Sequence, residues 1–237
     1  MNVSHRFVII VSIFITSLIT ANIIAVKPIG FGISLFGVPV SLPAAIIIFP
    51  VSYIVGDILT EVYGYRLTRR VIWLGFACNL IAVAAIWIGQ LLPPASVWEG
   101  QQAYESILGY IPQILSASFL AYVIGEFSNS FILAKMKILT KGRWLWTRTI
   151  GSTIVGQGLD AAIFISIAYV GRFSLSFIVI SILTHWLVKT GYEVVATPFT
   201  YAVVNFLKKK EATDTYDYET NFNPFLIRDR KKGAIEQ

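Results

Sequence analysis

Long, almost uncharged apolar blocks recur along this 237-residue sequence and limit what it can fold into. A helix of about 20 mainly apolar residues spans the hydrocarbon core of a lipid bilayer. With 56% hydrophobic and 14% charged residues, the composition excludes an ordinary soluble globular protein. We therefore predict an all-α integral membrane protein with six transmembrane helices, at residues 7–27, 42–63, 71–92, 112–134, 149–171 and 174–206.

Basic residues indicate how these predicted helices are oriented. They concentrate before predicted helix 1 and after predicted helices 2, 4 and 6: Arg6, Arg66, Arg69, Arg70, Lys135, Lys137, Lys141, Arg143, Lys208, Lys209 and Lys210. The opposite connections carry only Lys27 and Arg172. Since the more basic connections face the cytoplasm, we expect both termini there. Residues 1–207 form the predicted transmembrane domain, and residues 208–237 a charged, solvated cytoplasmic tail.

Two segments depart from a simple helical pattern. As one continuous helix, the 33 residues of predicted helix 6 would extend about 50 Å, well beyond a bilayer core of about 30 Å. This helix must therefore tilt, protrude or break, and Gly191 and Pro198 are the expected break points. Residues 28–43 are rich in glycine, and they either fold back into the outer face or form a surface loop.

A short motif recurs in the even-numbered helices. Tyr53-Ile-Val-Gly56-Asp57 in predicted helix 2 resembles Tyr122-Val-Ile-Gly125-Glu126 in predicted helix 4, and Gly191-Tyr-Glu193 is a looser match in predicted helix 6. The pattern predicts three helix pairs in parallel orientation, each with one buried acid beside a small residue. Chance similarity among apolar helices is the alternative.

Charged side chains inside the predicted spans are the strongest functional signal. Five acids (Asp57, Glu61, Glu126, Asp160 and Glu193) face only Lys189 and, near the boundary, Arg148. Each such group costs at least about 2.5 kcal/mol at the bilayer centre. The surplus acids must be protonated, hydrated in a cavity or positioned for a ligand that donates hydrogen bonds or carries positive charge. Alternatively, Lys189 joins two helices structurally, and Glu61 and Arg148 extend to the inner surface.

Other features narrow the classes of ligand and partner. The net charge of +6 comes from basic residues between the apolar blocks, so membrane orientation explains it and nucleic acid is not an expected partner. We predict no metal site and no cofactor. Small residues in predicted helices 3 and 5 permit close packing, so a homodimer stays open. His185 is interpreted as a packing residue.

Four segments resemble the vitamin uptake transporter family, also called the YhhQ-type queuosine precursor transporters. They are ANIIAVKPIG, FPVSYIVGDILTEVYGYRLTRR, RTIGSTIVGQGLDAAIFISIAYVG and KTGYEVVATPFTYAVVNFLK. The most specific parts are Asp57-x-x-Thr60-Glu61-x-Tyr63-Gly64 and Gly156-Gln157-x-x-Asp160. The resemblance implies a transporter of the bacterial inner membrane that imports 7-deazaguanine precursors of queuosine, the nitrile and aminomethyl compounds preQ0 and preQ1, for tRNA modification.

The hydrogen-bonding groups of such a substrate are complementary to the polar residues inside the predicted helices. The edge of a guanine-like base offers adjacent N–H donors to a carboxylate and a carbonyl acceptor to a donor side chain, and its flat rings stack on aromatic rings. We expect Asp57 and Asp160 to bind the base. The full set of candidate substrate-binding residues is Asn22, Tyr53, Asp57, Glu61, Glu126, Gln157, Asp160, Trp186, Lys189 and Glu193.

Two other functions stay as alternatives. A substrate-binding subunit of an energy-coupling vitamin importer would need an ATPase partner, because the sequence has no phosphate-binding loop motif. An intramembrane aspartyl protease also uses two aspartates, and Gly156-Gln157-Gly158-Leu159-Asp160 approaches its Gly-x-Gly-Asp pattern. The additional Leu159 places Asp160 about 100° around the helix from the position of the aspartate in that pattern. The protease motif is therefore not matched, and we do not predict an enzyme.

Overall fold

Seven helices and one β-hairpin make up the part of the chain that the computed structural model describes, residues 4–35, 37–108, 111–171 and 173–226. The helices are α1 (His5–Ile24), α2 (Phe49–Tyr63), α3 (Tyr65–Leu91), α4 (Gln101–Leu108), α5 (Ile111–Leu139), α6 (Leu145–Tyr169) and α7 (Leu175–Glu211). Five of them, α1, α3, α5, α6 and α7, contain stretches long and apolar enough to cross a membrane. The chain is therefore a helical membrane protein.

The predicted transmembrane helix 42–63 begins about seven residues too early, because α2 begins at Phe49. Residues Pro28–Leu35 (β1) and Val38–Pro43 (β2) pair as an antiparallel hairpin. One turn of 3-10 helix at Ala44–Ile47 follows, and α2 begins only at Phe49. The remaining 15 residues of α2 extend about 22 Å and are almost entirely buried.

Helix α7 runs without interruption through Gly191 and Pro198, so the predicted break is wrong. Proline removes one backbone donor. The neighbouring threonines nevertheless keep carbonyl groups of this turn hydrogen-bonded: the Thr197 hydroxyl donates to the Glu193 carbonyl at 2.7 Å, and the Thr200 hydroxyl donates to the Ala196 carbonyl at 3.2 Å. With 37 residues, α7 is about 55 Å long and must protrude or tilt.

Part of the expected solvated tail packs against the helices. Asp217 is 3% exposed, and its carboxylate accepts a hydrogen bond of 2.9 Å from the backbone N–H of Tyr65, at the start of α3. The guanidinium of Arg69 donates to the Asn221 and Asn223 carbonyls at 2.7 and 2.8 Å. The tail lacks an apolar pattern because it docks through its backbone and through capping of a helix N-terminus.

Helices α5 and α6 approach each other at two glycines. A Cβ atom on Gly156 would lie 2.7 Å from the Asn129 Cβ and 2.9 Å from the Gly125 carbonyl oxygen. Only glycine at these positions permits this backbone separation, as at small-residue contacts in other membrane proteins. Helix α2 lies in the centre, in contact with α1, α3, α5 and α7.

Replacing Gly156 by alanine is expected to destabilise the protein by about 1–3 kcal/mol, because the added methyl group forces α5 and α6 apart. Gly191→Ala is the matched control, since a Cβ there meets nothing within 4 Å. It should leave stability unchanged or raise it slightly through helix propensity. Thermal unfolding in detergent measures both changes, and equal midpoints for the two variants would contradict this packing.

Candidate functional site

A cavity lies where α1, the hairpin, α5, α6 and α7 meet. It is partly enclosed and opens to solvent on one side. The polar residues that line it are Asn22, Ser118, Asp160, His185 and Lys189, and the apolar ones are Ala25, Val26, Pro43, Ile46, Phe49 and Phe164. A mostly apolar pocket with a few convergent polar groups is the usual form of a small-molecule site.

An ion pair forms one wall of this cavity. The Lys189 ammonium contacts the Asp160 carboxylate, and their side chains are 7% and 13% exposed. Lys189 also donates to the Tyr53 hydroxyl at 3.3 Å and lies 5.1 Å from the ring centre of Phe49. The Phe49 and Tyr53 rings are stacked at 5.8 Å, so flat aromatic surfaces flank the pair. Both charged groups keep hydrogen-bonding capacity, because an ammonium has three donors and a carboxylate about four acceptor positions.

His185 also lines the cavity, although the sequence suggested only a packing role. Its Nδ1 lies 2.9 Å from the Ser181 carbonyl, which can only accept, so Nδ1 carries the hydrogen. The other nitrogen, Nε2, is then an acceptor, and within the described residues it has no hydrogen-bond partner. The signal in the sequence was its position one helical turn before Lys189.

Asn22 reaches the cavity from α1. Its side-chain oxygen accepts a hydrogen bond of 2.8 Å from the Ser118 hydroxyl, and its NH₂ group donates to the Leu18 carbonyl at 3.1 Å. The residue is thus held in place from two sides, on the wall shared by α1 and α5.

Asp57, Glu126 and Glu193 belong to a second polar region, which does not contribute to the cavity lining. All three are nearly inaccessible, with exposures of 0%, 2% and 3%. The Asn129 amide donates to Asp57 at 2.6 Å, and the Glu126 carboxyl lies directly against Gly56, where a side chain would collide with it. Glu193 is close enough to Asp57 for direct electrostatic repulsion.

The other predicted site residues lie elsewhere. Gln157 is 1% exposed, and neither atom of its amide has a partner among the described residues. The Trp186 indole donates to the Ile154 carbonyl at 2.8 Å, which turns it away from the cavity lining and against α6.

Glu61 is the centre of an ion network at the opposite end of the helix bundle. Its carboxylate accepts two hydrogen bonds from the Arg148 guanidinium, at 2.7 and 2.9 Å, and one from Lys208 at 2.6 Å. Lys137 lies 3.6 Å away. Glu61 and Arg148 are 0% and 1% exposed, so neither extends to solvent as the alternative reading expected. Asp214 of the tail completes the network by accepting from Lys137 at 2.6 Å and Lys208 at 2.9 Å.

The sequence matches a family model described as "Putative vitamin uptake transporter" over residues 43–203, which include α2 and most of α7. The chain belongs to this family of vitamin uptake transporters. The family consists of transporters, so the chain is not an enzyme. Asp160 and Lys189, the ion pair of the cavity, both lie in the matched segment.

The names of two similar proteins are consistent with a transporter family. A protein of Bacillus subtilis (strain 168) named "Probable queuosine precursor transporter" is 28% identical over 195 residues, which are 81% of this chain and 82% of the relative. The "Queuosine precursor transporter" of Escherichia coli (strain K12) is 26% identical over 121 residues, 51% of this chain and 52% of that protein. No solved structure matches the chain.

The Glu61 network predicts a large loss of stability for Glu61→Gln. The buried Arg148 would then have no carboxylate partner among the described residues, and Lys137 and the partly buried Lys208 would keep only Asp214. Breaking a buried pair costs about 3–5 kcal/mol. Glu219→Gln changes an exposed acid in the tail and is the matched control. Thermal unfolding in detergent compares them, and a Glu61 variant as stable as the control would argue against the network.

Asp214 makes the docking of the tail sensitive to acid. Burial raises the pKa of Asp214, but the ammonium groups of Lys137 and Lys208 outweigh that effect and hold the pKa below its usual value. Its stabilising contribution is therefore present above the unfolded pKa, about 3.9, and is lost as the pH falls through the lower folded pKa. Asp214→Asn should lower the midpoint of thermal unfolding equally from about pH 7 to pH 5, and the difference should shrink below about pH 4. A difference that persists at about pH 2 would contradict this.

Proposed function

We propose that this protein imports queuosine precursors, the 7-deazaguanine bases preQ0 and preQ1, across the bacterial inner membrane. The proposal is carried by the ion pair Asp160–Lys189, which lines a cavity within the segment matched by the transporter family. The name of the Bacillus subtilis relative, which aligns with most of this chain, gives the substrate class. The partners are then this small-molecule substrate and the surrounding lipid.

We further propose six transmembrane helices, with the short α2 as the second, and both termini in the cytoplasm. The N-terminal and C-terminal segments meet, since the Ser4 hydroxyl donates to Glu211 at 2.6 Å. The basic network around Glu61 lies at the same end, which the distribution of positive charge favours as cytoplasmic. The cavity borders the hairpin at the other end and would open to the outside.

The arrangement as three parallel helix pairs has local support. In each of the first two motifs, the glycine leaves room for an acid on a neighbouring helix: Gly56 lies against Glu126, and Gly125 lies against Asp160. Residues 1–207 would form the transporter domain and residues 208–237 its cytoplasmic tail.

In the proposed complex, the Asp160 carboxylate accepts the adjacent N–H groups of the guanine-like edge, a charge-assisted bidentate contact. Lys189 donates to the carbonyl of the base, and His185 Nε2 accepts a further N–H. The ring of Phe49 offers an apolar face to the flat bicycle, and the Tyr53 ring stacks against Phe49. Asn22 is the polar residue that α1 contributes to the cavity wall.

The other predicted residues act at a greater distance in this proposal. Asp57, Glu126, Gln157 and Glu193 shape the site from the polar region behind Tyr53, and Trp186 sets the distance between α6 and α7. Through its ion pairs, Glu61 fixes the C-terminal end of α2, the helix that also carries Tyr53. Separation of the helices around Glu61 would open the site to the cytoplasm, as alternating access requires.

Asp160→Asn tests the site in cells that cannot synthesise the precursor. The variant loses a charge-assisted contact worth about 1.5–3 kcal/mol, so uptake at low substrate concentration should fall by about one to two orders of magnitude. Queuosine in tRNA reports the uptake. Glu99→Gln, which changes an exposed acid, is the control. Normal queuosine in the Asp160 variant would refute the assigned site.

Reconstitution of the purified chain alone into liposomes distinguishes a solitary carrier from a subunit of an energy-coupling importer. We expect uptake of labelled preQ1 without ATP or any partner. Uptake that requires an added ATPase complex would favour the importer subunit instead.

A further inference from the structure

Three carboxyl groups lie in the protein interior without a basic partner. They are Asp57 on α2, Glu126 on α5 and Glu193 on α7, and no ion pair of the described residues includes any of them. Lys189, the cation on the same helix as Glu193, is engaged by Asp160 and Tyr53. An unpaired carboxylate in a medium of low polarity is so unfavourable that the group takes up a proton instead.

Four oxygens of these acids and of Asn129 have no hydrogen-bond partner within the described residues: Asp57 Oδ2, Glu126 Oε1, Glu193 Oε1 and Asn129 Oδ1. The buried Gln157 amide is also without a partner, on both its nitrogen and its oxygen. Asn129 is fully buried, and its amide contacts the Asp57 carboxyl directly. Acceptors without donors are satisfied by hydrogens that the acids themselves carry.

Asn129 is suited to a carboxyl group that changes its protonation state. Its NH₂ group donates to the carboxylate form of Asp57, at 2.6 Å in this structure. After a half-turn of the amide, its oxygen can accept from the protonated form. Among the described residues, no group of three or more acidic, histidine or cysteine side chains is arranged to hold a metal ion.

We propose that Asp57, Glu126 and Glu193, with Asn129, form a proton-binding site that couples substrate uptake to the proton gradient. The coupling to uptake rests on the proposed function, whereas the binding of protons does not. Tyr53 connects this site to the cavity, because its hydroxyl accepts a hydrogen bond from Lys189, the partner of Asp160. Loss of a proton from the buried acids strengthens the negative potential at Lys189 and changes how firmly Asp160 is paired.

Few other titratable groups face this site from the surrounding helices. Glu61 on α2 is neutralised by its three cations, and Asp160 on α6 is neutralised by Lys189. The Tyr122 hydroxyl on α5 donates to the Ile72 carbonyl of α3 at 3.1 Å. The buried acids are therefore the groups on which an exchangeable proton resides.

Infrared spectroscopy of the purified protein tests proton binding without any substrate. At about pH 7 we expect the carbonyl stretch of a protonated carboxyl group, distinct from the carboxylate bands, and a weaker band in at least one of Asp57→Asn, Glu126→Gln and Glu193→Gln. Glu99→Gln should leave the band unchanged. Absence of the band from the unmodified protein, or an unchanged band in all three variants, would overturn the site.

Transport in proteoliposomes tests the coupling. With the membrane potential clamped, an inward gradient of one pH unit should raise preQ1 accumulation in the unmodified protein by up to about tenfold for each coupled proton. In the variant with the weakened band, uptake should be the same with and without the gradient, whatever rate remains. Accumulation that follows a sodium gradient, or a variant that still responds to pH, would overturn the coupling. If the unmodified protein transports no preQ1 but retains the band, the proposed function fails and proton binding stands.

Discussion

The cost of burying charge away from water determines where the polar side chains of this protein lie. At the end of the bundle where Ser4 meets Glu211, Glu61 pairs with Arg148, Lys137 and Lys208, and each of these four charged groups comes from a different helix. A network of this kind is stable only when all its members are present, because removal of one leaves the others buried and uncompensated. It therefore fixes the relative positions of α2, α5, α6 and α7, and with them the geometry of the cavity further along the same helices.

The protein handles its buried charges in three different ways. The Glu61 network is saturated with hydrogen bonds, which suits a structural role. The Asp160–Lys189 pair is neutral overall but borders a cavity and retains donors and acceptors for a ligand. Asp57, Glu126 and Glu193 have no basic partner among the described residues, so they are the groups left to bind protons. The structural network, the proposed recognition site and the proposed coupling site thus occupy separate clusters on the same few helices.

Much of this organisation could be predicted from the sequence, because hydrophobic blocks and buried charges are local signals. The helical membrane fold and the transporter family were confirmed, and the surplus of acids over bases was visible before any coordinates. Which acid faces which neighbour was not visible, since that depends on helix rotation. Glu61 and Asp57 are one turn apart on α2, yet Glu61 contacts three cations and Asp57 contacts Asn129.

The errors have physical causes as well. Residues 42–48 are apolar enough for a membrane helix, but β2 continues to Pro43, which pairs with Pro28, and a turn of 3-10 helix at Ala44–Ile47 precedes α2. The tail was expected to be solvated because it lacks apolar periodicity, whereas it docks through backbone groups and Asp217. His185 is buried and bonded to the Ser181 carbonyl, as a packing residue would be, and it also borders the cavity on the face of Lys189.

The continuity of α7 has a mechanical consequence. Lys189 at the cavity and Lys208 at the Glu61 network lie on one unbroken rod, about 28 Å apart. A stiff helix transmits displacement along its length. A shift of α7 toward a ligand in the cavity would therefore also displace Lys208 relative to Glu61. Movements at the cavity and at the Glu61 network would then be coupled through α7. A hinge at Pro198, had the chain formed one, would have uncoupled them.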